Sequence, residues 1–321
     1  MNAMVLCAGP GTRLRPLTES IPKPLVRIAG FTLLLDTLHH LSRQGVRKAV
    51  INASWQGRRM EEWLHATPLP LETVFQPEEE PLGTAGAVRR ALPHLGDAFL
   101  VVYGDNLSRQ PFAPLVRIQE ETGAELVMAL SPTGQPSSKG IVLTGPDRSV
   151  EAFREKPPDD IAESNMASSG LYFCLGSAME SLEDGERCDF GLDLLPRMLS
   201  ENRLIAADTT GGYTRDTGTW RDYHLACHDV LSGRVLPYSR EAEPVNGVLL
   251  ENDQDWSGIS LNGTIWTEAG SRVGEGCVLN NCVVLEGAVV GRECRLANAL
   301  VMPGSSVPDG TVADDKYLKT F

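Results

Sequence analysis

Short apolar runs and longer amphipathic stretches follow one another along residues 1–233. The apolar runs predict buried strands at 3–7, 46–52, 71–76, 97–105 and 124–131. Leucines at helical spacing predict a helix over 31–44, and weaker patterns predict helices over 58–65 and 83–92. This alternation favours a doubly wound sheet with parallel strands, while 140–143 and 149–153 are predicted to form an antiparallel pair. We therefore expect a mixed sheet.

The pattern changes after about residue 256, where aliphatic residues recur every six positions. They stand at Val278, Val284, Val290, Leu296 and Met302, with glycines between them. A six-residue step with small turn residues indicates a short left-handed parallel β-helix, with a plain β-rich cap as the alternative. The predicted fold class is thus α/β, a Rossmann-like doubly wound mixed sheet followed by this β-helix. The predicted domains are 1–233, a linker at 234–250, and the β-helix at 251–321. Because a short solenoid leaves its terminal coils exposed, we also expect a homo-oligomer.

Composition narrows the choice of partners. The chain has 321 residues, of which 42% are hydrophobic, and its formal net charge is -13 at pH 7. Such an acidic protein is not expected to bind nucleic acid or an anionic membrane, so its phosphate ligands need local cations. No apolar run reaches the roughly 18 residues of a membrane span, and no signal peptide is predicted. The seven scattered cysteines include no Cys-x-x-Cys pair, which favours reduced thiols and a cytoplasmic location.

The first predicted strand leads into a glycine-bearing turn that is followed by cations. Gly9 and Gly11 flank Pro10 in this turn, and Arg13 and Lys23 come after it. Backbone N–H groups in such a turn can form a concave anion site, and the planar donors of arginine suit phosphate oxygens. The pattern matches neither a P-loop nor the three-glycine dinucleotide fingerprint. From these residues alone, a phosphate-binding loop and an ordinary turn with surface cations both remain open.

Several other polar residues allow both a functional and a structural interpretation. Thr84 lies at the start of a predicted helix, where free N–H groups can bind an anion or only need a cap. Asp105 ends the strand at 97–105, where a carboxylate can hold a hard cation or cap a turn. His224 and His228 share a helix face, but no third ligand is evident, so packed or surface roles are favoured over metal binding.

Longer motifs resemble those of a known family. The string Ala-Gly-x-Gly-Thr-Arg-Leu-x-Pro-Leu-Thr, followed by Pro-Lys-Pro-Leu, resembles the signature of the sugar-1-phosphate nucleotidylyltransferases. Leu-Gly-Thr-Ala-Gly, Gly-Asp, Glu-Lys-Pro, Asp-x-Gly-Thr and the hexapeptides then follow in the order of that family. Pro10 departs from the pattern, because proline has no N–H to donate.

The resemblance implies that a sugar 1-phosphate attacks a nucleoside triphosphate and that pyrophosphate leaves. It implies Mg²⁺ as cofactor, held by Asp105 and Asp216. It gives the neutralisation of phosphate charge to Arg13, Lys23 and Lys156. It gives contacts with the nucleotide to Ala8, Gly9, Gly11, Thr12, Gln76, Gly83 and Thr84. It gives contacts with the sugar to Glu155, Asn165, Ser169 and Gly170.

The sequence leaves more than one choice of base and sugar open. The segment Glu-Glu-Pro-Leu-Gly-Thr-Ala-Gly resembles the mannose-1-phosphate guanylyltransferase version, which implies guanine and mannose. Uridylyl or thymidylyl transfer to glucose 1-phosphate and uridylyl transfer to an amino-sugar phosphate stay open. A non-catalytic nucleotide-sugar sensor is an alternative of another class. An acyltransferase carried by the hexapeptides is a further alternative, but it usually needs a histidine there, and none follows His228.

Overall fold

The computed structural model of the chain describes residues 1–158, 163–240 and 242–319. Residues 159–162 of the predicted first domain, 241 of the predicted linker and 320–321 of the predicted β-helix domain lie outside them. The helices are α1 (Leu17–Ser20), α2 (Leu33–Arg43), α3 (Gly57–Ala66), α4 (Gly83–Leu95), α5 (Ala113–Thr122), α6 (Leu195–Ser200) and α7 (Trp220–Leu231).

The strands fall into an N-terminal and a C-terminal series. The first series is β1 (Asn2–Leu6), β2 (Arg27–Ile28), β3 (Phe31–Thr32), β4 (Lys48–Ala53), β5 (Glu72–Pro77), β6 (Ala98–Tyr103), β7 (Asn106–Ser108), β8 (Leu126–Pro132), β9 (Gly140–Thr144), β10 (Val150–Glu155), β11 (Met166–Leu175), β12 (Ile205–Asp208) and β13 (Thr214–Asp216). The second series is β14 (Val248–Leu250), β15 (Ser260–Thr267), β16 (Arg272–Val273), β17 (Val278–Val284), β18 (Val289–Val290), β19 (Arg295–Ala297), β20 (Leu300–Val301), β21 (Ser306–Val307), β22 (Val312–Asp314) and β23 (Tyr317–Leu318).

The chain divides into two compact units. The first unit comprises Met1–Pro10 and Thr37–Thr214, and the second comprises Gly11–Asp36 and Arg215–Phe321. Each unit is therefore built from two separate stretches of the chain. The domain boundaries predicted at 233 and 250 stay predictions.

A mixed sheet forms the centre of the first unit. Its strand order is β10-β9-β11-β6-β1-β4-β5, and β8 joins β11 while β12 joins β8. Parallel pairing joins β1 with β4 and β6, and β4 with β5, whereas β11 runs antiparallel to β6 and β8. The predicted antiparallel pair is β9 with β10. A buried cluster that includes Met4, Val88, Phe99 and Met128 packs α4 against this sheet.

The register of the parallel strands places their following loops at one edge of the sheet. Leu6 of β1 lies beside Tyr103 of β6, and Ala53 of β4 lies beside Pro77 of β5. The loops after β1, β4, β5 and β6 therefore leave the sheet at the carboxyl ends of its strands. In doubly wound sheets, ligands bind at this edge.

The second unit contains a parallel β-helix. Its short strands stack in the orders β14-β15-β17-β19-β22 and β16-β18-β21, all in parallel register. Val283 pairs with Leu300, and Leu300 with Tyr317, so that these coils take 17 residues. Inward aliphatic side chains such as Val284 and Leu296 fill the interior. The predicted fold class is thus confirmed. No helix among the described residues has both the length and the apolar character that crossing a bilayer would need.

Candidate active site

The loops that follow β1, β5 and β6, together with Asn52 near the end of β4, border an open pocket of about 230 Å³ in the first unit. Residues predicted to contact the nucleotide or a metal contribute to its wall, namely Ala8, Gly9, Gly83, Thr84 and Asp105. Three further polar residues also line it, namely Asn52, Glu78 and Asp189. The structure therefore brings together residues that are far apart in the sequence.

Glu78 places a fixed carboxylate in the wall of this pocket. It directly follows β5, and its side chain is buried. Its Oε1 accepts a hydrogen bond from Asn52 Nδ2 at 2.7 Å, and its Oε2 accepts one from the Leu82 N–H at 3.1 Å. Asn52 is held in turn, because its Oδ1 accepts from the Cys7 N–H at 2.8 Å. The carboxylate is thus oriented from both sides, and each oxygen keeps capacity for another hydrogen bond.

Gln76 has a different environment from Glu78. Its side chain is buried, and its Nε2 donates to the Ala87 carbonyl at 3.0 Å. This hydrogen bond joins β5 to α4 and orients the amide. The predicted contact between Gln76 and the base stays a prediction.

The glycines at the start of α4 are explained by the close approach of another backbone segment, residues 186–188. A Cβ on Gly83, whose φ is +74°, would lie 2.5 Å from the Cys188 carbonyl oxygen. A Cβ on Gly86 would lie 2.4 Å from the Glu186 carbonyl oxygen. Side chains would therefore separate α4 from the segment 186–190, so that the first turn of α4 requires these glycines.

Three of the predicted site residues lie close together in the second unit. Lys23 is buried, and its Nζ lies 3.4 Å from Asp216 Oδ1. A Cβ added to Gly218 would lie 2.7 Å from Arg13 Nη2 and 2.8 Å from Asp216 Oδ1. Arg13 and Asp216 thus both border Gly218, although they are far apart in sequence.

Neighbouring groups hold the glycine loop of this unit in place. Thr18 Oγ1 donates to the Gly11 carbonyl at 2.7 Å, and Trp220 Nε1 donates to the Arg15 carbonyl at 3.2 Å. Trp220 opens α7, so that this helix supports the loop. Thr12 is exposed. The predicted contacts of Gly11 and Thr12 with the nucleotide stay predictions.

The residues predicted to contact the sugar lie in the first unit. Glu155 Oε1 lies 3.1 Å from Lys156 Nζ, and the lysine side chain is largely exposed. Asn165 is exposed. The Ser169 hydroxyl donates to a backbone carbonyl of β8 at 2.9 Å, and Ser169 and Gly170 border a small internal cavity. Their predicted roles stay predictions.

Burial keeps the thiol and phenol groups near the pocket protonated. It raises the pKa of Cys7 well above its usual range, and the nearby Asp105 carboxylate adds to the effect. It also raises the pKa of Tyr103, and raises that of Tyr172 to about 12. The negative charge of the pocket wall therefore comes from its carboxylates.

The residues predicted to bind the metal ion belong to different units. Within residues 1–158, 163–240 and 242–319, no three His, Cys, Asp or Glu side chains are grouped so as to hold a metal ion. Asp105 belongs to the first unit and Asp216 to the second, and their role as magnesium ligands stays a prediction. His224 and His228 pack together with their Nε2 atoms 2.9 Å apart, as the packed alternative predicts.

Comparison with known proteins agrees with the motifs. The family model described as nucleotidyl transferase matches residues 2–233. The chain is 32% identical over 281 residues to the mannose-1-phosphate guanylyltransferase catalytic subunit beta of Drosophila pseudoobscura pseudoobscura, covering 86% of this chain and 71% of that one. It is 25% identical over 338 residues to the UTP–glucose-1-phosphate uridylyltransferase of a Synechocystis species, covering 97% of this chain and 87% of that one.

The fold also resembles a solved structure. The crystal structure of HddC from Yersinia pseudotuberculosis complexed with GMP-PN matches with a TM-score of 0.61 at 25% identity, covering 71% of this chain and 98% of that one. Members of the matched family are typically metal-dependent. The family model covers well over half of the chain, and the Drosophila relative supports the same assignment. The chain therefore belongs to the nucleotidyl transferase family and is a sugar-1-phosphate nucleotidyltransferase.

Proposed function

We propose that the protein is a mannose-1-phosphate guanylyltransferase, which converts GTP and mannose 1-phosphate into GDP-mannose and pyrophosphate. The observation that carries the choice of guanine is the buried carboxylate of Glu78 in the pocket wall. The choice of mannose is supported by the similarity to the Drosophila mannose-1-phosphate guanylyltransferase subunit.

A fixed carboxylate discriminates among bases by hydrogen-bond polarity. The Watson–Crick edge of guanine presents two adjacent donors, N1–H and the N2 amino group. A carboxylate can accept from both at once, and Asn52 and Leu82 already orient that of Glu78. Uracil and thymine present a single N3–H between two carbonyl oxygens, which the carboxylate would repel. Guanine is therefore the base that this wall favours.

The reaction requires positioning and charge neutralisation more than proton transfer. The attacking oxygen of a sugar phosphate is already anionic, so no general base is needed. Arg13 would hold the β- and γ-phosphates that leave, and Lys23 and Lys156 would steady the sugar phosphate. Preorganised cations of this kind act strongly on developing phosphate charge.

The donor set suits a magnesium ion. Asp105 and Asp216 offer carboxylate oxygens, which hard divalent cations prefer, and each stands in a motif that resembles a metal motif of the family. Magnesium, when held by these two residues, would neutralise charge on the reacting phosphates. Glu155, Asn165, Ser169 and Gly170 would contact the sugar.

A substrate matrix tests the proposal. GTP, UTP, ATP and dTTP are each combined with mannose 1-phosphate, glucose 1-phosphate and an amino-sugar 1-phosphate, and pyrophosphate release is followed. We expect the highest kcat/KM for GTP with mannose 1-phosphate. Equal or faster turnover of UTP or dTTP would overturn the guanine assignment.

A variant of the carboxylate tests the observation itself. Glu78→Gln should lower kcat/KM for GTP by roughly 10- to 100-fold, because a bidentate contact with a base contributes discrimination of that order. Glu61→Gln is the matched control, because this substitution removes the same charge from a side chain that is exposed on α3. Equal GTP turnover in Glu78→Gln and wild type would contradict the role of Glu78.

One alternative is supported by a specific observation. The match to the Synechocystis uridylyltransferase spans 97% of this chain, so uridylyl transfer to glucose 1-phosphate is the second candidate. A non-catalytic nucleotide-sugar sensor would release no pyrophosphate in any combination of the matrix.

The predicted homo-oligomer is tested by light scattering after gel filtration, and the cytoplasmic location stays a prediction.

A further inference from the structure

The first turn of α4 is joined to the segment 186–190 by paired backbone groups. The Cys188 carbonyl accepts hydrogen bonds from the N–H groups of Ala85 at 2.9 Å and Gly86 at 3.0 Å. The Cys188 N–H donates to the Leu82 carbonyl at 2.9 Å. Free N–H groups at the start of this helix are therefore satisfied by a segment about 100 residues further along the chain.

Asp189 extends this junction with its side chain. Its Oδ1 accepts from Thr84 Oγ1 at 3.0 Å and from the Thr84 N–H at 3.4 Å. Thr84 Oγ1 in turn accepts from the Phe190 N–H at 2.8 Å. Because a hydroxyl has one hydrogen to donate, these contacts fix the orientation of the Thr84 side chain.

Asp189 is itself held in position. Asp193, one turn along, accepts from the Asp189 N–H at 2.8 Å through its Oδ2. The Asp189 carboxylate also lies at the N-terminal end of α4, where a negative charge is stabilised by the helix dipole. Asp189 and Thr84 both line the candidate nucleotide pocket, whereas Asp193 is not among its lining residues within the described chain.

We propose that Asp189 is a positioning residue, which holds Thr84 and the first turn of α4 in the shape that binds the nucleotide. This inference rests on the proposed function, because it takes the pocket to be the nucleotide site. Asp189 acts as a hydrogen-bond acceptor for Thr84, and its negative charge is not itself required. An amide oxygen at the same place can accept the same two hydrogen bonds.

The test compares Asp189→Ala with Asp189→Asn. Asp189→Ala should raise both the KM and the dissociation constant for the nucleotide by about tenfold, the upper end of the effect expected when an ordinary hydrogen bond is lost. Its kcat should stay within about threefold of wild type, because the reacting phosphates are not touched. Asp189→Asn should restore both constants to within about threefold of wild type.

Glu125→Ala is the control for a merely structural effect, because Glu125 pairs with Arg203 and stands outside the described lining of the pocket. It should lower the unfolding midpoint while leaving the dissociation constant for the nucleotide unchanged. In a Thr84→Val background, Asp189→Ala should cause little further loss of affinity, because the two residues act as one unit.

Two results would overturn the inference. One is an Asp189→Asn variant as impaired as Asp189→Ala, which would mean that the charge itself is needed. The other is unchanged nucleotide affinity in Asp189→Ala. Affinities are measured by calorimetry with GTP and with UTP, without sugar phosphate. If the wild type releases no pyrophosphate, the proposed function fails, while the affinities of the variants still decide the role of Asp189.

Discussion

His224 should make the protein less stable when the pH falls from 7.5 to 5. It lies on α7 and is 6% exposed, with its Nε2 2.9 Å from His228 Nε2. His228 Nδ1 contacts Thr264 Oγ1, and the ring of Tyr317 packs edge-on against His224. Burial, together with the nearby His228, lowers the pKa of His224 to about 4. His224 therefore stays neutral in the folded protein until the pH falls to about 4.

The direction of the effect follows from the pH at which the folded and the unfolded state each bind the proton. In the unfolded chain, histidine has a pKa of about 6.5, so it takes up a proton as the pH falls below that value. Folded His224 does not take up the proton until about pH 4. Between these values the unfolded state binds more protons, so that the free energy of unfolding falls with falling pH. From pH 7.5 to 5, His224 alone accounts for a loss of about 2 kcal/mol.

Urea unfolding followed by tryptophan fluorescence measures this loss at both pH values. His224→Gln removes the titration but keeps a polar side chain beside His228, so its loss should be smaller than that of wild type by about 2 kcal/mol. His65→Gln is the matched control, because His65 is exposed on α3 and should change nothing. His40, whose pKa is also lowered to about 4, contributes equally to all three proteins. Equal losses in wild type and His224→Gln would refute the reasoning.

The remaining predictions concern backbone fit, an ion pair and the metal. Gly83→Ala should destabilise by about 2 kcal/mol or more in urea unfolding, since a backbone oxygen lies 2.5 Å from the new Cβ, whereas Gly45→Ala, with open space around it, should cost about 1 kcal/mol. Arg27→Met should cost about 3 kcal/mol at pH 8 by leaving buried carboxylates without their cation. Thermal unfolding should show part of that loss recovered as the pH is lowered, because burial raises the pKa of Glu268 and protonation removes its charge. EDTA should abolish pyrophosphate release, and added Mg²⁺ should restore it. Asp105→Asn should abolish turnover while the unfolding midpoint stays unchanged. Activity close to wild type, with EDTA or in Asp105→Asn, would contradict the metal role.

Local pattern predicted the elements whose signal is contained in one stretch of sequence. The apolar run before Asp105 corresponds to β6, and the leucines at helical spacing correspond to α2. β11 was not predicted, because Ser169 and Gly170 interrupt its apolar pattern. Its pairing with β6 and β8 depends on tertiary contacts, which override local propensity.

The β-helix shows how a correct period can still misplace single residues. The six-residue series begins at Val278, which is only half-buried, whereas its neighbour Leu279 is fully buried. Coils of 17 residues, such as that joining Val283 to Leu300, are one residue shorter than three hexapeptides. The inward column therefore shifts by one position along the chain.

The site could be predicted only where a motif carries its own chemistry. Arg13 and Asp216 stand in recognisable strings, and the structure brings both beside Gly218. Glu78 and Asp189 carry no such local signal. Their importance comes from hydrogen bonds to Asn52 and Thr84, which lie 26 and 105 residues away in sequence.

The distribution of charge accounts for how a protein of net charge -13 can act on two anionic substrates. The pocket wall of the first unit carries the carboxylates of Glu78, Asp105 and Asp189, and its described lining contains no lysine or arginine. Such a wall repels a triphosphate but accepts hydrogen bonds from a base or a ribose. The second unit supplies Arg13 and Lys23, which suit phosphate oxygens. Under the proposed function, different residues select the base and neutralise the phosphates. Changes at Glu78 should then alter the choice of nucleotide, whereas changes at Lys23 should alter the rate with every nucleotide alike.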